Sequence, residues 1–155
     1  MVVTHSQNTT RRHRGFSLVE VLIALVIMSV GMLGIAGLYV QSMQAGRTSL
    51  FRHQAVTLAG DVADRIRANP TAGGAYTGGG ADNACVDQGV NCNAPAMAAH
   101  DIFLWSQQAA DSLPNGQVTI TFDGAATPPM YTIRVAWVEA DQPLDYTIVI
   151  PIRPI

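Results

Sequence analysis

The sequence predicts an α+β chain in which a long N-terminal helix packs on a small antiparallel sheet. Three observations predict it. No charged side chain occurs between Val21 and Gly46. Phe51, Ala55, Leu58, Val62 and Ile66 then follow at spacings of 4, 3, 4 and 4, which marks one face of an amphipathic helix. Three stretches toward the C-terminus alternate apolar and polar residues, the period of a half-buried strand.

The elements are taken in chain order. Residues 1–15 are polar and end in a basic cluster, Arg11, Arg12 and Arg14, and no regular structure is expected there. Basic residues ahead of an apolar run stay cytoplasmic, so the C-terminal part is expected outside the inner membrane. Phe16 to Tyr39 is apolar except for Ser17, Glu20 and Ser29. As a helix this stretch spans about 36 Å, enough to cross a hydrocarbon core. A cleavable secretory signal has an apolar core of about 7–15 residues and then a small-residue site. Here the run is longer and no Ala-x-Ala follows it. A plain signal anchor fits the length but leaves Glu20 without a reason.

The helical pattern continues to about Ala68, which gives one helix of about 80 Å. Asn69-Pro70 ends it, because the residue before proline disfavours the helical region. Asp61–Arg65 and Asp64–Arg67 fit the opposite, solvated face. The apolar half is too long to be buried in the small domain that follows, so it needs lipid or other subunits. Gly31, Gly34 and Gly37 each cost about 1 kcal/mol in a helix interior. They read either as close packing between membrane helices or as a segment that bends or unwinds outside lipid. Their spacing of three does not match GxxxG.

Residues 71–96 read as a loop rich in Gly, Ala and Asn, and GGAYTGGG lacks the Gly-Lys-Ser/Thr of a phosphate-binding loop. Cys85 and Cys92 are the two cysteines. In an exported chain a pair this close reads as a disulfide, with a stabilisation of roughly 2–3 kcal/mol. Their C-x₆-C spacing is not that of a zinc site. Met97 to Leu113 reads as a short helix with Ile102, Trp105, Ala109 and Leu113 on one face. Trp105 is then a core residue, and Asp101 a cap or local hydrogen-bond partner. Strands are expected over Gln117–Phe122, Met130–Val138 and Asp145–Ile150. Three strands on a helix suffice for a core. The expected organisation is a leader at 1–15, a transmembrane or assembly half-helix at 16–40 and a head at 41–155.

Composition narrows the function. The chain of 155 residues is 48% hydrophobic and 13% charged, where soluble domains are about a quarter charged. Past residue 15 it holds six Arg and no Lys against eleven acids, which argues against a nucleic-acid partner. The four histidines stand at 5, 13, 53 and 100, and neither G-x-S-x-G nor H-E-x-x-H occurs. His100 and Asp101 are adjacent, so on a helix they point to different faces. Neither an enzymatic role nor a cofactor or metal is expected.

Glu20 carries the chemistry. An acid in a membrane helix costs about 2.5–3.5 kcal/mol on insertion scales, less near the headgroups, where water can satisfy it. Deeper in a low-dielectric bundle it seeks a cation. Gly15 has no side chain, so a protease can approach the Gly15-Phe16 bond closely. A cut there leaves an α-amino group on Phe16, about one helical turn from Glu20. The cation is then that amine or, better placed if subunits are staggered, the amine of a neighbouring subunit.

The run GFSLVEVLIAL, with RRHR before it, resembles the type IV prepilin signature. The resemblance implies a type IV pilin-like fold. It implies a cut between Gly15 and Phe16 by prepilin peptidase, N-methylation of Phe16, and docking of Glu20 onto the N-terminus of an adjacent subunit. VGMLGIAGLYVQSMQAG, ADRIRANP, the cysteine pair and AAHDIFLW further resemble PilV-type minor pilins, the type IV pilus modification proteins, over residues 15–105. The implied partners are major and minor pilins packed on the apolar helix, the prepilin peptidase, the inner-membrane assembly platform, and membrane lipid before assembly. The implied locations are the inner membrane and then the pilus fibre or tip, with roles in assembly or priming, adhesion or twitching motility. Two other readings keep the helix: a minor pseudopilin of type II secretion, and a membrane-anchored periplasmic binding module with an uncut anchor.

Overall fold

The computed structural model describes residues 15–86 and 90–152, and the basic part of the expected leader lies outside them. The described residues form two compact units that divide between Met43 and Gln44. Helix α1 runs from Leu18 to Ala68. It passes through Gly31, Gly34 and Gly37 without a break. A Cβ at any of the three would meet nothing within 4 Å, so nothing among the described residues requires their small size.

In the second unit the apolar stripe of α1 is buried at Ala55, Leu58, Val62 and Ile66, with Phe51 packed against the core from the side. Ala59 and Ala63 are buried as well. The helix stops at Ala68, ahead of Asn69-Pro70.

The stretch read as loop contains structure at both ends. Pro70–Thr77 is a 3₁₀ segment interrupted at Gly73, whose φ of 53° is the left-handed region that glycine enters at no steric cost. Tyr131 donates its hydroxyl to the Gly73 carbonyl. Helix α2 spans Ala94–Ser112 and so begins three residues before the expected Met97. Asn93 caps it by accepting from the Ala96 amide at 2.9 Å, and the proline in its first turn lacks only an N–H that would be orphaned there anyway. Residues with loop chemistry thus open the helix.

Between these ends the chain is pinned to α2. Cys85 and Cys92 are joined by a disulfide, with Cα atoms 5.7 Å apart. The Ala81 amide donates to the Ala99 carbonyl at 2.9 Å, and the Asn83 side chain donates to the Ala96 carbonyl at 2.9 Å. Gly80 lies so close to α2 that a Cβ would sit 2.6 Å from the Phe103 amide nitrogen.

Strands β1 (Gln117–Asp123), β2 (Met130–Glu139) and β3 (Gln142–Pro151) form an antiparallel sheet in the order β1-β2-β3. Tyr131, Ile133, Val135 and Trp137 of β2 are buried, as the alternation predicts, with Ile150 of β3 beside them. Val118, Ile120, Phe122, Tyr146 and Ile148 pack around them half-buried. Strand β3 starts at Gln142, three residues before the expected Asp145. The cause is a two-residue turn, Ala140-Asp141, in which both residues have positive φ, 48° and 63°. That is the hairpin geometry whose twist matches the flanking strands.

Candidate functional site

Two features of the chain go beyond packing. The first is the N-terminal half of α1. Its apolar side chains from Leu18 to Met43 are exposed in the single chain, and the helix is long and apolar enough to cross a membrane. The polar atoms along it differ in how they are satisfied. The Ser29 hydroxyl donates to the Val26 carbonyl of its own helix at 2.8 Å, so this Ser needs no outside partner.

Glu20 stands in the first turn of α1, where a negative charge complements the helix dipole. The amides of Glu20 and Val21 donate to the Ser17 carbonyl at 3.0 and 3.2 Å. Ser17 and Glu20 thus have the spacing of a capping box, a pattern the reading of Glu20 as an ion-pair partner passed over. Among the described residues the Glu20 carboxylate has neither a hydrogen bond nor an ion pair within the chain. Gly15 and Phe16 precede the helix and are exposed. The structure therefore leaves the exposed Gly15-Phe16 bond, and a carboxylate without a partner among the described residues, at one end of an exposed apolar helix.

The second feature is a polar clasp inside the head. Asp61, Arg65 and Asn69 recur every four residues along the last turns of α1 and its exit. Asp101 and Trp105 have the same spacing on α2. The Arg65 guanidinium meets the Asp101 carboxylate at 2.8 Å and Asp61 at 3.5 Å. Trp105 donates its indole N–H to Asp61 at 3.0 Å. Tyr76 donates its hydroxyl to Asp101 at 3.1 Å and accepts from Asn69 at 3.2 Å, and Asn69 also donates to the Ala94 carbonyl at 3.0 Å.

Asp101 is thus neither a cap nor a local partner. It is a buried carboxylate held by side chains 36 and 25 residues away. Trp105 is core, as expected, with one polar bond. His100 is buried too, with Nδ1 accepting from the Asn83 amide at 3.3 Å. Two adjacent residues on α2 therefore both point inward, each to a different partner.

The clasp shifts its members' acidities. Burial alone would lower the Arg65 pKa. The hydrogen bond to Asp101 and the charges of Asp61 and Asp101 outweigh it, and the guanidinium ends above its ordinary value. Burial pushes the Tyr76 hydroxyl from 10.0 up to about 12; the bond from Asn69 opposes this and the Asp101 charge adds to it. The fold favours the neutral phenol, so its contribution is complete below pH 10.0 and is lost as the pH rises toward about 12. Burial raises the Tyr131 hydroxyl as well, so phenolate titration of the intact protein should show tyrosine ionisation delayed toward about 12, together with loss of the head's tertiary signal. Tyr76→Phe should make that late step smaller.

Among the described residues no cluster of three or more His, Cys, Asp or Glu side chains could hold a metal ion. Asp61, Arg65 and Asp101, the charged side chains of the clasp, are all paired within it.

Two family models match the chain. One, described as type IV pilin Tt1218, matches residues 37–103. The other, the prokaryotic N-terminal methylation motif, matches residues 10–36 and so covers Gly15, Phe16 and Glu20. The first takes in the second half of α1, the disulfide and most of α2. No curated protein and no solved structure matches the chain.

Proposed function

Because the chain is a type IV pilin-like protein, we propose that it works as a minor subunit that helps to start or extend the pilus. As a pilin-type subunit it is processed by a prepilin peptidase, anchored in the inner membrane by α1 and later carried into the pilus. The finer reading is ours. Residues 1–15 act as a leader, the cut falls between Gly15 and Phe16, and the new Phe16 amine is methylated. Residues 16–40 serve as the membrane and assembly segment, and residues 41–155 as the head. The Glu20 carboxylate then finds its cation in the N-terminus of a neighbouring subunit, and other pilins cover the apolar face.

One observation carries this reading: the exposed apolar half of α1 carries one carboxylate, in its first turn and without a partner among the described residues. Lipid can cover the apolar surface, but it offers a carboxylate no matching cation in its interior. A neighbouring subunit offers both. The pilin class is one of structural subunits, and adhesion or motility would follow from the pilus that the subunit enters.

Intact-mass analysis of protein extracted from membranes tests the processing step. The expected species begins at Phe16 and carries one added methyl group. An uncut chain beginning at Met1 would instead support a plain signal anchor carrying a periplasmic binding module.

A further inference from the structure

The sheet ends at β3, whose ladder partner is β2 alone, whereas β1 is flanked by the 3₁₀ segment and α2. The register fixes which backbone groups of β3 face outward. The hairpin closes on the pair Glu139↔Gln142, and in an antiparallel ladder the hydrogen-bonded pairs then alternate. Gln142, Leu144, Tyr146, Ile148 and Ile150 therefore direct their N–H and C=O groups to β2. Two bonds agree with this phase. The Ile152 amide, next in the series, donates to the Pro129 carbonyl at 2.8 Å. The Val138 amide, opposite Pro143, turns away from β3 and donates to Pro114 at 2.9 Å.

The outward-facing positions are Pro143, Asp145, Thr147, Val149 and Pro151. Prolines hold the two outer places, where the missing N–H would have pointed away from the sheet. Between them the amides of Asp145, Thr147 and Val149 have no acceptor among the described residues. The side chains nearby leave these amides free. Asp145 accepts from Arg134 at 3.3 Å and from the Thr147 hydroxyl at 3.0 Å, and Val149 is 55% exposed.

A strand edge is commonly blunted by charge, a bulge or proline along its length. Here proline closes both ends, and three adjacent donors with their carbonyls stay open between them. We infer that this five-residue window, Asp145 to Val149, takes one extended segment of a neighbouring pilin-type subunit, which adds a strand to the sheet. The open groups are main-chain donors and acceptors in strand register, so their complement is extended backbone. The bracketing prolines limit the added strand to a short one. The occupant, another pilin-type subunit, rests on the assembly reading above.

The chain itself supplies the design of the test, because Pro143 and Pro151 show that proline is accommodated at an outward position of β3. In full-length protein, Thr147→Pro removes the central outward N–H and keeps the ladder to β2, while Thr147→Ala keeps both. Thr147→Pro should lower the amount of subunit recovered in sheared fibres about tenfold, with Thr147→Ala within about twofold of wild type. The amount of processed protein in the membrane should be unchanged for both.

A second measurement does not depend on how well Thr147→Pro folds. Thr147→Cys in native membranes, labelled with a short thiol-reactive photo-crosslinker, should on illumination be joined to a different pilin-type subunit, identified by mass, and Thr132→Cys on the adjacent inner strand should not. The inference is overturned by equal recovery of the Pro and Ala variants with no adduct at position 147, or by an adduct solely with a second copy of this chain. If wild type is absent from sheared fibres, the assembly reading fails on its own, and an adduct to another pilin-type subunit would still support the edge.

Discussion

Glu20→Ala is expected to remove the subunit from sheared fibres while leaving it in the membrane. The two effects separate because they depend on different free energies. Replacing a carboxylate by a methyl group in an apolar helix eases insertion, by as much as about 2.5–3.5 kcal/mol if the residue sits deep. Insertion therefore cannot be what the variant loses. Entry into the fibre transfers the same residue from reach of water to the surroundings of other helices. There an ion pair with a neighbour's N-terminal amine would offset the cost of dehydration, and Ala has nothing to offer that amine, which is left buried and unpaired. Such a loss is on the order of 3–5 kcal/mol, more than a hundredfold in an equilibrium. Recovery of Glu20→Ala in sheared fibres at the wild-type level would remove the docking role, and the capping-box spacing of Ser17 and Glu20 would then be the better account of the residue.

Arg65→Ala is expected to destabilise the head by about 2–4 kcal/mol, near the lower end of what breaking a buried pair costs. The Asp101 side chain is only 4% exposed and would keep one donor, the Tyr76 hydroxyl. The Arg65 side chain is 43% exposed, so part of the pair is already solvated and the full penalty does not apply. The neighbouring pair gives the contrast. Arg67 meets Asp64 at 3.1 Å with side chains 52% and 80% exposed, and Arg67→Ala should cost about 0.5 kcal/mol or less. Thermal melting of the full-length protein in detergent distinguishes them: about 10 °C or more for Arg65→Ala, at most a few degrees for Arg67→Ala. Equal shifts would show that the clasp contributes no more than a surface pair.

That contrast also shows where the sequence was legible. Arg65 and Arg67 sit in one charged segment, and spacing along a single helix assigns both to i, i+4 and i, i+3 pairs. It does so correctly for Arg67 and incompletely for Arg65, because Asp101 lies on another helix. A signal was present: Asp61, Arg65 and Asn69 repeat every four residues, as do Asp101 and Trp105, so each helix carries a polar row. Single-chain periodicity does not say which rows meet.

Elsewhere hydrophobic period was a sufficient guide. The stripe from Phe51 to Ile66 and the alternation from Tyr131 to Trp137 are inward-facing in the structure, because burial of apolar surface dominates both. The boundaries that moved, at Ala94 and Gln142, are set by Asn93 with Pro95 and by a turn of two positive-φ residues. Each belongs to a residue type that also marks loops, and only the surrounding backbone decides between the two uses. The candidate assembly site was legible for a different reason: Glu20 is conspicuous against a background with no other charge from Val21 to Gly46.

The buried alanines of α1 bear on inheritance. Ala55, Ala59 and Ala63 have 0%, 0% and 3% of their surface exposed within the shared core. In most cores the costly mutation is the one that removes volume; here a gain of volume is the hazard, since added methylenes in a packed interior cost about 1–3 kcal/mol. A lineage carrying this chain can drift at these three positions only toward Gly, which weakens the helix, or by compensating loss of bulk elsewhere in the core. These three alanines thus confine the routes by which the head can diverge to its surface.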